Sequence, residues 1–325
     1  MAETTTEKKR KDSFRSITPS FAEAVKKHPV YKEFYLKHKD KVIVGIRDNC
    51  VELYYNCDLI AKFSDKGKGV IAELKIGSYY LGLPQKGQVT IVPVGYDLPS
   101  LFCTITENSD KREKREKQSQ ERLYIANNSN DLSNWFCIDV EYSHSTKGKT
   151  EPWRFDIIAV SKSLPHRVAL IELKYGSRAI GVESGITKHI KDYYNFHCRE
   201  SYRILRPELI SIIKGLELMG VMIPDSISKN LDEDDFCTYP EYYFITLDNN
   251  PNENGNTPKM SMGGYLFGGK VWGTRKSSSK VGTDGFYAVV NDPTFRPSFK
   301  FSTAILPDLE IDDIIDSPLY EEGKY

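Results

Sequence analysis

The chain has 325 residues, of which 39% are hydrophobic and 28% are charged, and its 45 basic side chains balance its 45 acidic ones. These proportions are those of a globular protein with a sizeable core, so they exclude extensive disorder. The neutral total also excludes a histone-like polycation, although a local basic surface could still bind nucleic acid.

Signals for targeting and for disulfide chemistry are lacking in the sequence. No run of about 18 apolar residues occurs, and the first residues are charged rather than apolar. The six cysteines are scattered without zinc-finger spacing, which is typical of a reducing compartment. We therefore expect a cytoplasmic protein without membrane contact, whose residues 1–20 form a flexible basic tail.

Residues 21–106 predict a smaller β-rich N-terminal domain. A helix interrupted near Pro29 precedes several short apolar runs, with a turn expected near Asn56. Further strand patterns follow at 70–76 and 89–94. We expect this domain to recognise a protein or ligand partner.

Residues 107–305 predict a second domain of mixed α/β (α+β) type. A charge-rich helical segment precedes three strand patterns, two helices and a further strand. In chain order these patterns lie at 109–128, 135–142, 154–161, 168–175, 185–205, 207–220 and 241–248. The final residues, 306–325, are rich in acids and are expected to form a solvated acidic tail.

Charged residues interrupt two of these strand patterns where a core would be apolar. Asp156 lies in the second strand pattern, and Glu172 and Lys174 lie in the third. Because side chains alternate faces along a strand, Glu172 and Lys174 point the same way. Burying such groups costs several kcal/mol each unless they pair or bind an ion. The pattern therefore predicts a small metal site.

This order of elements, with Asp156 on the second strand and a Glu-x-Lys pair on the third, resembles the PD-(D/E)XK nuclease superfamily. The resemblance implies a restriction-endonuclease-like mixed sheet flanked by helices. It implies that Asp156, Glu172 and the Leu173 carbonyl hold Mg²⁺, for which Mn²⁺ can substitute. It further implies that Lys174 orients the attacking water. Its positive charge stabilises the phosphate without competing as a ligand.

The resemblance covers roughly residues 109–248, and the chain contains its own control for it. Phe155 stands where the family has proline, a residue that shapes the backbone and binds no metal. A second Glu-x-Lys pair, Glu73 and Lys75, follows Asp58 at almost the same spacing. Because Asp58 lies in a predicted turn, we interpret Glu73 and Lys75 as a solvent-facing pair on a half-buried strand.

Four further residues are candidates for the same site. Glu141, or alternatively Asp139, on the first strand could extend the acidic cluster as an accessory ligand of metal or water. Glu121 on the preceding helix matches in position a glutamate that many members carry. His189 replaces a glutamine of some branches and could reach a phosphate or the water. The alternatives are structural carboxylates and a hydrogen-bonded helix histidine.

The helix after the third strand carries an apolar stripe and an opposite, mainly basic one. The basic stripe is expected to contact phosphates of a nucleic acid, the alternative being an ordinary solvated face. Its members are Lys188, Lys191, Arg199, Arg203 and Arg206.

Together these patterns predict a metal-dependent nuclease that hydrolyses phosphodiester bonds in DNA, with RNA not excluded, as an effector in restriction or defence against foreign DNA. Two alternatives stay open. One is a catalytically incomplete nuclease-fold subunit that acts as a DNA-binding or assembly module. The other is a structural ion-pair network in an unrelated α/β protein. A homodimer is expected if both strands of a duplex are cut.

Overall fold

Two β-sheets and the helices around them form a mixed α+β protein, in agreement with the predicted class. This computed structural model describes residues 15–65, 67, 69–84, 87–144, 153–176, 186–228, 230–248, 292–295, 297–301, 310–315 and 321–322. Among these residues, no helix combines the length and the apolar character needed to cross a bilayer.

The first sheet is antiparallel throughout and has five strands in sequence order. Its strands are β1 (Ile43–Arg47), β2 (Cys50–Tyr55), β3 (Asp58–Asp65), β4 (Val70–Gly77) and β5 (Gln88–Ile91). The predicted turn lies at Asn56 and Cys57, both of which have positive φ. Helices pack around this sheet, with a 3₁₀ turn at Ser78–Leu81. They are α1 (Pro19–Lys27), α2 (Pro29–Tyr31) with a π turn (Lys32–Leu36), and α3 (Leu98–Asp110).

The second sheet has six strands, in the order β11-β10-β9-β8-β7-β6. The strands are β6 (Trp135–His144), β7 (Trp153–Ser161), β8 (Val168–Tyr175), β9 (Glu241–Leu247), β10 (Pro297–Phe301) and β11 (Glu321–Glu322). β6, β7 and β8 are antiparallel, β9 and β10 run parallel to β8, and β11 is antiparallel to β10. The sheet is therefore mixed.

Helices cover both faces of the second sheet, which explains why its central strands are almost continuously apolar. The helices that follow α3 are α4 (Arg115–Ser129), α5 (Ile186–Cys198), α6 (Tyr202–Leu218), α7 (Asp225–Ser228) and α8 (Ile311–Ile315). Leu123 of α4 packs with Ile157 and Leu173 on one face. Ile190 of α5 belongs to the larger apolar cluster on the other face. Side chains that project from this second face of the sheet therefore point toward α5.

A buried ionic cluster joins the two sheets. Asp139 of β6 is fully buried and accepts hydrogen bonds from two arginines, Arg15 at 2.9 Å and Arg47 at 2.8 Å. Arg47 belongs to β1, and its guanidinium also donates to the Val140 carbonyl at 3.0 Å. Arg15 additionally lies 3.6 Å from Glu208 of α6. The first sheet is thus attached to the second by charges that are paired and hydrogen-bonded away from water.

A glycine allows α6 to lie directly against β1. A Cβ atom at Gly215 would meet the Ile46 side chain at 2.9 Å, and Ile46 is fully buried. Gly215→Val is therefore expected to destabilise the protein by about 2 kcal/mol through overpacking. The control is Lys214→Val at the adjacent exposed position, where only the lower helix propensity of valine, about 0.5 kcal/mol, applies. Urea unfolding of both variants measures the difference, and equal losses would contradict this packing argument.

Three predictions about boundaries are wrong. Arg15, within the predicted flexible tail, is only 6% exposed because of its ion pairs. The predicted helix at 185–205 ends at Cys198, since Glu200 adopts a positive φ and the Ser201 N–H bonds the Phe196 carbonyl. Pro207 does not open a helix but lies in the second turn of α6.

The acidic tail is also misjudged in its described part. Ile311 of α8 is fully buried, and Asp312 accepts a hydrogen bond from the Asn134 backbone N–H at 2.6 Å. This segment is a short helix whose apolar side packs on the sheet, with Asp312 half-buried and Asp313 exposed.

Candidate active site

The β7–β8 ladder ends at one point, and the predicted acids lie just beyond it. The last paired residues are Ile157 and Ile171, after which the Leu173 N–H donates to the Asp156 carboxylate at 2.8 Å. In a strand, the N–H and C=O of one residue face the same side. The Leu173 carbonyl therefore faces the gap that Asp156 partly fills.

Glu172 and Lys174 project into the same region from the α5 face of β8. Glu172 is 1% exposed, and its Oε1 lies 2.7 Å from Lys174 Nζ. The Nε2 of His189, in the first turn of α5, lies 3.2 Å from the same oxygen. The structure thus brings together four of the predicted residues, including the histidine.

A further acid, which sequence reasoning missed, comes from α4. Glu116, in the first turn of that helix, lies with its Oε1 3.2 Å from Lys174 Nζ. The predicted helix glutamate, Glu121, is instead buried near the first sheet and accepts the Cys57 N–H at 2.9 Å. A helix repeats every 3.6 residues, so these two positions lie on clearly different sides of α4. The phase of α4 relative to the sheet was the missing information.

Burial and neighbouring charges govern the protonation of the acids. Burial, aided by the charge of Glu141, raises the pKa of Asp156 to about 7, against the opposing effect of Lys174. Burial and then the charge of Asp156 raise the pKa of Glu172 well above its usual range. Burial disfavours the charged form of Lys174, but Glu172 and Asp156 outweigh it and raise the pKa of the ammonium. The lysine is therefore a fixed positive charge and not a free-amine base.

Asp139 and Glu141 do not extend the cluster as a pair. A register shift between Cys137 and Asp139 and a positive φ at Glu141 turn the two carboxylates in different directions. Asp139 binds the two arginines described above, so its predicted role in the acidic cluster is wrong. Glu141 forms an ion pair with Lys117 at 3.3 Å, and its role as an accessory ligand stays a prediction.

The predicted basic stripe is only partly described. The backbone of Lys188 and Lys191 lies in α5, but their side chains fall outside the described part of the structure. Arg199 and Arg203 lie beyond the opposite end of α5 from His189, about 15 Å away along a helix axis. Arg203 also pairs with Glu200 at 3.7 Å. These two arginines do not border the site.

The second Glu-x-Lys pair differs from the first as expected. Glu73 is half-buried and Lys75 exposed on β4, whereas Asp58 lies at the start of β3. The partner of Glu73 across the sheet is Lys62, four residues from Asp58, or about 13 Å along a strand. Asp58 instead binds Lys114 at 2.9 Å. Glu73 is therefore separated from Asp58, and the interpretation of Glu73 and Lys75 as a solvent-facing pair agrees with the structure.

Comparisons with known proteins were made at three levels. The chain matches no protein-family model, no curated protein and no solved structure.

The donor set was tested for its fit to Mg²⁺. Among the described residues, no three His, Cys, Asp or Glu side chains converge as a ready-made metal cage. Mg²⁺ does not need one, because it keeps several waters and is commonly held by one or two carboxylates. Burial and the charge of Asp156 both disfavour ionisation of Glu172, and a bound cation would offset both effects. Two hard carboxylates, with the Leu173 carbonyl facing the same gap, fit the ion.

Proposed function

We propose that this protein is a Mg²⁺-dependent nuclease that hydrolyses phosphodiester bonds in DNA. The observation that carries the proposal is the meeting of Asp156, Glu172 and Lys174 where β7 and β8 separate. A restriction-endonuclease-like core is part of the proposal. It is supported by the order α4, β6, β7, β8, α5, with β9 parallel to β8.

Each side chain has a distinct task in the proposed reaction. Asp156, held by the Leu173 N–H, and Glu172 would bind the ion together with the Leu173 carbonyl. Bound Mg²⁺ supplies a more acidic water and a positive charge that offsets the negative charge on the phosphate. Lys174, whose ammonium is fixed by Glu172 and Glu116, positions a water or a phosphate oxygen.

His189 has a supporting task. Its side chain is 21% exposed, and its Nε2 lies 3.2 Å from Glu172 Oε1. A histidine at this point can donate a hydrogen bond to a phosphate oxygen and restrict the rotamer of Glu172. Defence against foreign DNA is the biological role that we propose for such an activity.

The direct test is incubation of the purified protein with plasmid DNA in Mg²⁺, in Mn²⁺ and in EDTA. We expect nicked or linear products with either metal and none in EDTA, because hydrolysis without the ion lacks both an activated water and charge compensation. If no DNA or RNA form is cut under any of these conditions, the enzyme proposal fails. DNA binding without cleavage would then favour the incomplete nuclease-fold subunit.

A further inference from the structure

A concave site lies at the edge of the first sheet, next to the beginning of α4. It is a cavity of about 700 Å³ between the edge of the sheet, the 3₁₀ turn after β4, and the α3–α4 connection. That volume is ordinary for a small-molecule site. None of the predicted catalytic residues lines it, so the cavity requires its own explanation.

The lining of the cavity carries excess positive charge. Lys75, Arg112 and Lys114 line it, with Asp58 as the acid among its lining residues. Asp58 is already engaged, since Lys114 lies 2.9 Å away, Lys117 lies 3.3 Å away, and the Tyr80 hydroxyl donates to it. Lys75 and Arg112 are both exposed, and no acid among the described residues pairs with either. The cavity is thus suited to an anion.

Aromatic and apolar groups form the rest of the wall. Tyr79 is 47% exposed, so its ring is available for contact, and it meets Tyr80 edge to face with the centroids 5.9 Å apart. Arg112 holds its guanidinium 5.8 Å from the Tyr79 centroid. Leu83, 43% exposed, provides an apolar surface nearby. An accessible ring beside two cations matches the flat base and charged phosphate of a nucleotide.

We propose that this cavity binds a nucleotide, with its base stacked on Tyr79 and its phosphate paired with Arg112 and Lys75. The nucleotide can be free or can belong to a DNA strand. If the nucleotide belongs to a DNA strand, the inference rests on the proposed function. The first turn of α4 would then lie between the bound strand and the proposed cleavage site. Lys114 borders the cavity, and Glu116, two residues later, contacts Lys174.

Binding is measured by fluorescence anisotropy of a labelled single-stranded oligothymidylate, in EDTA so that no cleavage occurs. Tyr79→Ala and Arg112→Gln are each expected to weaken binding about tenfold, the usual cost of losing one base stack or one phosphate contact. Lys214→Gln, an exposed lysine on α6, is the control and keeps wild-type affinity. Both cavity variants alter exposed side chains, and circular dichroism melting verifies that they fold.

Thymidine monophosphate is then added as a competitor to distinguish the two sources of nucleotide. Displacement of the oligonucleotide identifies a site for free nucleotides, and binding of the oligonucleotide without displacement identifies a site for a strand. Either result, combined with the tenfold losses, supports the proposal. Wild-type affinity in both cavity variants, or no binding of either probe, overturns it. Because this assay excludes metal, its outcome is independent of whether plasmid is cut in Mg²⁺.

Discussion

Replacing Glu172 with glutamine is expected to lower Mg²⁺-dependent DNA cleavage about a thousandfold while leaving the fold intact. Glutamine keeps the size of the side chain but removes the carboxylate that would bind the ion and whose Oε1 lies 2.7 Å from Lys174 Nζ. The folded state should tolerate the change, because burial and Asp156 already disfavour the ionised carboxylate. The rate of plasmid nicking under single-turnover conditions measures the loss.

The chain offers a matched control in its second Glu-x-Lys pair. Glu73→Gln makes the same chemical change in a similar local sequence on β4, well away from Asp156. We expect this variant to cut at the wild-type rate and to melt at the same temperature. If Glu172→Gln keeps its activity, or if both variants lose it equally, Glu172 is not part of the catalytic site.

The wild-type protein is expected to lose folding stability at alkaline pH, and replacing Glu121 with glutamine is expected to remove that loss. Burial, chiefly, raises the pKa of Glu121 from 4.5 to about 8, although the Cys57 and Asn56 backbone groups oppose the shift. Ionising this side chain in the folded state is therefore costly. Glutamine keeps an oxygen that can accept the Cys57 N–H, which now lies 2.9 Å from the carboxylate, and carries no charge.

The sign of the effect follows from proton binding. Between the unfolded pKa near 4.5 and the folded pKa of about 8, the folded protein holds a proton on Glu121 that the unfolded chain has lost. Wild-type stability therefore falls as the pH rises through that window, and the fall is complete above it. The free energy of unfolding of Glu121→Gln does not fall in this way, because glutamine does not ionise. Its advantage should grow by several kcal/mol across the window, since each pKa unit corresponds to ~1.4 kcal/mol.

Urea unfolding at about pH 5 and at about pH 9, on either side of most of that window, measures the change. The control is Glu217→Gln on α6, an exposed glutamate whose carboxylate is hydrated in both states. Its stability relative to wild type should not vary with pH. A constant difference between Glu121→Gln and wild type would show that Glu121 ionises normally in the folded protein.

The sequence located the central strands well because burial on both faces leaves a strong pattern. The apolar runs around Asp156 and Glu172 predicted β7 and β8 to within a residue or two. The same runs made the charged exceptions conspicuous. The sequence pattern of a strand does not specify where a helix from another part of the chain packs against it. The sequence pointed to Glu121, whereas the packing of α4 brings Glu116 to Lys174.

Irregular backbone accounts for the remaining differences. Alternation placed Asp139 and Glu141 on one face, but the register shift and the positive φ at Glu141 separated them. Neither the register shift nor the positive φ is marked in the sequence by a glycine or a proline. The end of α5 is similar, because Glu200 takes the left-handed conformation that glycine usually supplies. Such positions are selected by tertiary contacts, which local composition does not encode.

The ionic cluster at Asp139 has a consequence for protein engineering. Asp139 lies in one half of the chain, while Arg15 and Arg47, which neutralise it, lie in the other. A chimaera that took its first 106 residues from a different protein would leave this carboxylate buried without a counterion. Replacing the first 106 residues therefore requires arginines to be kept at positions 15 and 47, or Asp139 to be replaced at the same time by a neutral residue of similar shape.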